Sequence, residues 1–253
     1  MKKNLSITTA ILLAAGFGTR MENLTAHTPK PLLKIAGYSL LEISLLKLQA
    51  AGFKKVVINL HYLGDQIIAH LKGKSFGLEI CFSHENDILG TGGGIALAEK
   101  YFKPEETILC LNVDVLSDLS ILEFIESYQS AGGIAGMAVK PSTDTARYSL
   151  ALFNEKNQLR GFLPKGGPIP ENLQSGIFTG FQLLSPRARH FLRPVFSSVI
   201  SDFYELALQQ QKPVHVYLHK GIWLDVGTKA QYLHLNEKAE TDGLDMPQFT
   251  GRE

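Results

Sequence analysis

The sequence predicts an α/β fold: a mixed, mostly parallel sheet with helices on both faces. Strand-like apolar runs alternate with helix-period stretches through the first 140 residues. A glycine loop directly follows the first of those runs, and 253 residues at 45% hydrophobic and 19% charged suffice for one large core. Strands separated by helices of about 10–15 residues build βαβ units, whose crossovers cover both sheet faces.

The elements follow in order. An apolar run at Ile7–Ala14 reads as the first strand, a helix-period stretch covers Leu40–Ala51, and the β-branched run Val56–Leu60 is the second strand. A helix over Leu63–Leu71, a strand over Leu78–Ser83, a helix from about Ile95 to Tyr101 and a strand over Thr107–Leu111 extend the series, which helix Leu119–Gln129 and strand Ile134–Val139 complete. After Pro141 the pattern turns to strands and turns, with strands at Tyr148–Phe153, Gln158–Leu163, Gly176–Leu184 and Val214–Tyr217. This divides a single domain, 1–236, into a first half (7–140) and a second half (141–236) expected to act as a lid; residues 237–253 read as a polar tail that frays.

Composition excludes several function classes. Lys plus Arg (25) almost balances Asp plus Glu (24), so no global field draws nucleic acid or an anionic membrane. Cys81 and Cys110 are too few for a disulfide framework and lack metal-ligand spacing, so both are expected as reduced, buried thiols. Lys2 and Lys3 before an apolar stretch imitate a secretory signal, but Thr8 and Thr9 break it and it runs straight into the glycine loop. No run approaches the roughly 20 apolar residues of a membrane helix. A cytoplasmic protein, monomeric or homodimeric, is the expectation.

Open α/β sheets bind ligands at the carboxyl ends of their strands, and the first strand ends there in Leu13-Ala14-Ala15-Gly16-Phe17-Gly18-Thr19-Arg20. Gly16 and Gly18 would let backbone amides approach phosphate oxygens, and Arg20 would add a forked, charge-assisted contact. A dinucleotide fingerprint would need a small residue where Met21 stands and an acidic ribose partner after the second strand, where Asn59 and His61 occur. Thr28-Pro29-Lys30-Pro31-Leu32 follows, its two prolines stiffening the segment that carries Lys30. Further on, Gly90-Thr91-Gly92-Gly93-Gly94 precedes a helix, and strand 107–111 delivers Asn112-Val113-Asp114 to the same sheet edge, where a carboxylate suits a hard cation.

Residues 13–32 closely resemble the signature loop of the sugar-1-phosphate nucleotidyltransferases, and the resemblance extends over roughly residues 7–236. It implies a Rossmann-like fold with a sugar-binding lid, and a reaction between a nucleoside triphosphate, with UTP or GTP favoured, and a sugar 1-phosphate. Leu13, Ala14, Ala15, Gly16, Gly18, Thr19 and Arg20 would hold the triphosphate, with Arg20 and Lys30 neutralising it. Thr91, Gly92 and Gly93 would meet the base and ribose, and Asn112, Lys165, Ser175 and Gly176 the sugar phosphate. Gly221-Ile222-Trp223-Leu224-Asp225-Val226-Gly227-Thr228 resembles the family's closing motif, so Asp114 and Asp225 would share Mg2+ (magnesium). Most members have glycine where Val113 stands. Two other readings remain: a cytidylyltransferase acting on an amino-alcohol phosphate, and a catalytically silent nucleotide-sugar sensor.

Overall fold

The computed structural model describes residues 6–241. Its centre is a nine-stranded mixed sheet. Strands β1 (Thr9–Leu13), β4 (Lys55–Leu60), β5 (Glu79–His84) and β6 (Ile108–Asn112) form the parallel half, with β1 between β4 and β6. The short hairpin β2 (Lys34–Ile35) and β3 (Tyr38–Ser39) stands apart and leads into helix α1 (Leu40–Ala50). Ser39 and Glu42 cap that helix reciprocally, Ser39 Oγ accepting from the Glu42 amide and Glu42 Oε2 from the Ser39 amide. Helices α2 (Gly64–Leu71) and α3 (Gly90–Leu97) make the next crossovers.

The second half joins the same sheet. After β7 (Val115–Ser117) and α4 (Ile121–Ala131) come β8 (Ala135–Pro141), β9 (Leu150–Phe153), β10 (Leu159–Leu163) and the long β11 (Gln174–Leu184). β11 pairs antiparallel with β6 through Phe181–Leu184, with β9 through Gln174–Gly176, and with β8 on both sides of an irregularity between Phe178 and Gln182. Short helices α5 (Pro186–Arg189) and α6 (Leu206–Gln209) precede β12 (Val214–Leu218), which lies parallel to β8. β13 (Trp223–Asp225) leaves the sheet to pair with β7, and α7 (Lys229–Thr241) closes the described chain. The strands expected as a lid are thus part of the sheet itself, because β11 hydrogen-bonds on both of its edges.

Alternation along the strands divides the core. Ala10 and Leu12 of β1 and Val56 and Ile58 of β4 pack in one cluster, while Ile11 and Val57 face another. Each such Leu, Ile or Val taken fully out of water contributes about 1.5–3 kcal/mol. A third cluster joins Met21, Leu116, Val226 and Leu235, tying the segment after the glycine loop to β7, β13 and α7.

Several expectations need correction. α3 starts at Gly90, five residues before the expected helix, so the glycine run lies inside it. The stretch from Glu237 does not fray at once: α7 continues through Thr241. Cys110 is buried, and burial pushes its thiol up, but Cys81 is only partly buried. Lys2 and Lys3, and the tail beyond residue 241, lie outside the described residues.

Candidate active site

Two cavities open along the carboxyl ends of β1 and β6. The smaller, about 310 Å³, is lined by Leu13, Ala14, Ala15, Gly16, Gly18, Thr19, Arg20 and Lys30, with Gly90 and Thr91 opposite. The larger, about 610 Å³, is lined by Tyr148, Ala151, Phe162, Phe178, Thr179, Trp223 and Asp225, among others. Arg20, Asn112 and Asp114 line both. The two spaces therefore meet at one cation, one amide and one carboxylate.

Local structure explains the loop. Gly18 has φ +67°, and a Cβ there would come within 3.1 Å of Thr25 Cγ2 and 3.2 Å of Lys30 Cβ, so glycine is required. Thr25 Oγ1 donates to the Gly18 carbonyl at 3.0 Å, and the Met21 amide donates to the same oxygen at 2.8 Å. Met21, fully buried, anchors the turn. Lys30 sits in a 3-10 turn between its two prolines and is 8% exposed. Its ammonium donates to Asp114 Oδ2, so in this structure Lys30 neutralises a carboxylate at the rim of the smaller cavity.

Asp114 and Asp225 come together through the β7–β13 ribbon. Asp225 stands opposite Val115, and the Val226 amide donates to the Asp114 carbonyl at 2.9 Å. Burial, and then the charge of Asp114, hold the Asp225 carboxyl above its ordinary value, with Lys30 and Arg20 acting against them. A half-buried carboxylate repelled by a second one is stabilised by any hard cation placed between them. Among the described residues no third His, Cys, Asp or Glu gathers with them.

Other sequence-predicted residues lie elsewhere. Gly92 and Gly93 do not line either cavity. A Cβ on Gly93 would fall 2.1 Å from the Val195 carbonyl oxygen, and one on Gly92 2.7 Å from Ser197 Oγ. These glycines make room for the 195–198 segment. The Thr91 hydroxyl likewise faces that segment, accepting from the Val199 amide at 2.9 Å. Lys165 is exposed in the turn after β10, where the Gly167 amide donates to the Pro164 carbonyl, and it lines neither cavity. Ser175 and Gly176 are occupied in pairing β11 with β8 and β9, and Ser175 Oγ donates to the Ser142 carbonyl at 2.7 Å. β11 instead presents Ile177 to Gly180 to the larger cavity.

Sequence reasoning missed a buried polar relay beneath the smaller cavity. The Ala14 amide donates to Asn59 Oδ1 at 2.6 Å, Asn59 Nδ2 donates to Glu85 Oε1 at 2.7 Å, and Glu85 Oε2 accepts from the Leu89 amide at 2.8 Å. This chain joins the glycine loop to the start of α3, and both Asn59 and Glu85 line the cavity. The signal was available: Asn59 is the penultimate residue of β4 and Glu85 follows β5, on the same sheet edge as Asp114. Glu205, which lines the larger cavity from the π-turn of residues 200–205, carried no such signal.

A family model described as "Nucleotidyl transferase" matches residues 9–242. The chain is 29% identical over 229 residues to the mannose-1-phosphate guanylyltransferase catalytic subunit beta of Drosophila melanogaster, covering 89% of this chain and 61% of that protein. It is 27% identical over 228 residues to a mannose-1-phosphate guanyltransferase of Pichia angusta, covering 88% and 62%. The chain thus spans about three-fifths of the length of these curated relatives. Among solved structures, HddC from Yersinia pseudotuberculosis complexed with GMP-PN superposes with a TM-score of 0.76 at 25% identity, over 92% of this chain and 99% of that one. UDP-glucose pyrophosphorylase from Acinetobacter baumannii shares the fold, with a TM-score of 0.76 at 20% identity over 97% and 98%.

Proposed function

The chain belongs to the nucleotidyl transferase family, and we propose that it transfers a nucleoside monophosphate from a nucleoside triphosphate to a sugar 1-phosphate, releasing pyrophosphate. The observation that carries this reading is the junction of two cavities at Arg20, Asn112 and Asp114. A triphosphate in the smaller space and a sugar phosphate in the larger would present their reacting phosphates to each other there. GTP or UTP is the favoured donor; the guanylyltransferase relatives and the GMP-PN complex support the former.

A phosphate oxygen of the sugar 1-phosphate attacks the α-phosphorus, the new P–O bond forms, and the bond to the bridging oxygen breaks so that its electron pair leaves on pyrophosphate. The attacking dianion is already a nucleophile, so no general base is required. The glycine-loop amides and Arg20 bind and orient the triphosphate, and Arg20 offsets charge as it develops. Lys30 holds Asp114 in place and lends positive charge to the same rim.

Asp114 and Asp225 fit magnesium, which takes oxygen ligands, typically one or two carboxylates with the rest supplied by water and substrate phosphates. The support for that assignment is geometric: the β7–β13 ribbon seats Asp225 beside Asp114, and both carboxylates line the larger cavity. When bound, magnesium would screen the repulsion between the two phosphates and polarise the α-phosphorus.

A pyrophosphate-release assay with magnesium, crossing GTP, UTP, CTP, dTTP and ATP against mannose, muramic acid, heptose and glucose 1-phosphates, tests the proposal. One or more active pairs support it, and silence from folded protein across the panel refutes it. Phosphocholine belongs in the panel because one observation favours the amino-alcohol reading: Tyr148, Phe162, Phe178, Trp223 and Glu205 line the larger cavity, and such a set also attracts a quaternary ammonium.

A further inference from the structure

Asp114 and Asp225 owe their placement to a ribbon of only three residues per strand, lying outside the main sheet. An isolated two-stranded pair is marginally stable, so its ends must be pinned. At the carboxylate end the Val226–Asp114 hydrogen bond does this. At the opposite end, where Trp223 faces Ser117, a buried polar cluster takes over.

His219 is the centre of that cluster. Its Nε2 lies 2.9 Å from the Ile222 carbonyl, 3.1 Å from Asp118 Oδ1 and 3.2 Å from Ser117 Oγ. The Ile222 carbonyl can only accept, so Nε2 carries a proton; Asp118 Oδ1 lies within ion-pair distance of that ring but takes no hydrogen bond. The Asp118 amide also donates to the Ile222 carbonyl, and a Cβ on Gly221 would fall 2.3 Å from Asp118 Oδ1. Two lysines clamp the same turn: Lys47 donates to the Ser117 carbonyl at 2.5 Å, and Lys140 to the carbonyls of Lys220, at 3.1 Å, and Gly221. Ser117 is 1% exposed and His219 6%. None of these side chains lines either cavity.

We propose that His219 is a positioning residue: by joining Ser117 of β7 to the Ile222 carbonyl beside β13 it fixes the register of β13 on β7, and hence the distance between the Asp114 and Asp225 carboxylates. The proposal rests on the function above, in which those carboxylates hold the metal. It separates the two substrates' dependence, since the glycine loop is built from β1 and does not touch this cluster.

Manganous ion alone, titrated into the full chain and followed by loss of its free-ion EPR signal, tests this without turnover. His219→Ala is expected to weaken manganous ion binding about tenfold, the low end of the loss seen when the support of a metal ligand is removed. Turnover should fall in step while the KM for the triphosphate holds. His219→Gln, whose amide can again donate to Ile222, should recover most of the loss. In an Asp225→Ala background, His219→Ala should have no further effect on manganous ion binding, because the ligand it positions is gone. Unchanged binding in His219→Ala, even with a lowered melting temperature, or an equal further loss in the Asp225→Ala background, would overturn the proposal. Should His219→Ala not fold, Ser117→Ala, which removes one hydroxyl, carries the same comparison. A wild-type protein silent on every substrate pair would sink the proposed function, whereas the manganous ion comparison still decides the role of His219.

Discussion

Replacing Gly93 with alanine should destabilise this protein, although the same change inside an ordinary helix is favourable by about 1 kcal/mol. The reason is the 195–198 segment. The new Cβ would lie 2.1 Å from the Val195 carbonyl oxygen and 2.8 Å from Leu89 Cβ. Neither the carbonyl nor Leu89 Cβ is a flexible side-chain end that could turn away, so the helix and the segment must separate. Three hydrogen bonds resist that movement: Gly92 amide to Ser197 carbonyl at 3.0 Å, Ser197 amide to Leu89 carbonyl at 2.9 Å, and Val199 amide to Thr91 Oγ1 at 2.9 Å. Overpacking commonly costs about 1–3 kcal/mol, and a clash with backbone belongs at the upper end. Set against the helix gain, the net is about 2 kcal/mol, or a fall of about 4–8 °C in melting temperature for a domain of this size. Urea unfolding followed by far-ultraviolet circular dichroism, with a check that the slope is unchanged, measures it. A variant as stable as the wild type, or more stable, refutes the packing argument.

Other consequences can be checked in the same preparations. Asp114→Ala should lower turnover at saturating magnesium by at least ~10²-fold, the scale of a lost transition-state contact; near-native turnover would remove Asp114 from the site. Lys165→Ala should leave the KM for the sugar phosphate unchanged, since Lys165 lines neither cavity, and a marked rise would restore the role expected from sequence. Glu42→Gln should show a pH-dependent stability loss. Burial alone would raise the Glu42 carboxyl, but hydrogen bonds from Lys74 and from the amide and hydroxyl of Ser39 outweigh it and hold the group at about 2. A carboxyl depressed on folding stabilises the native state above its unfolded value of about 4.5 and loses that contribution as pH falls towards 2. Discounted for solvent around the exposed Lys74, the loss is about 1 kcal/mol at pH 7. It should shrink through the window below pH 4.5 in denaturant titrations, and a pH-independent difference would contradict it.

The parallel half of the fold was legible because its signals are local. Ile11 and Val57 alternate with neighbours that face the opposite way, and helices of ordinary length separate the strands. The sheet-edge rule then placed Gly16, Gly18, Arg20, Asn112 and Asp114 on the cavities where the structure has them. What escaped depends on partners far along the chain. The glycines of α3 read as a bare platform because the 195–198 segment that fills them is about a hundred residues away. β7 and β13 are three residues each, too short for periodicity, and pair across more than a hundred residues. Lys165 and Ser175 were placed by resemblance alone, with no local pattern to position them, and neither lines a cavity.

Whether the two substrates are joined can be followed by a phosphorus NMR time course of an active triphosphate and sugar 1-phosphate pair with magnesium and purified protein. The sugar monoester signal should disappear as pyrophosphate and a paired diphosphodiester signal grow in equal amounts. Pyrophosphate appearing with free nucleoside monophosphate, while the sugar phosphate stays unconsumed, would show a hydrolase and contradict the joining of two substrates at Arg20, Asn112 and Asp114.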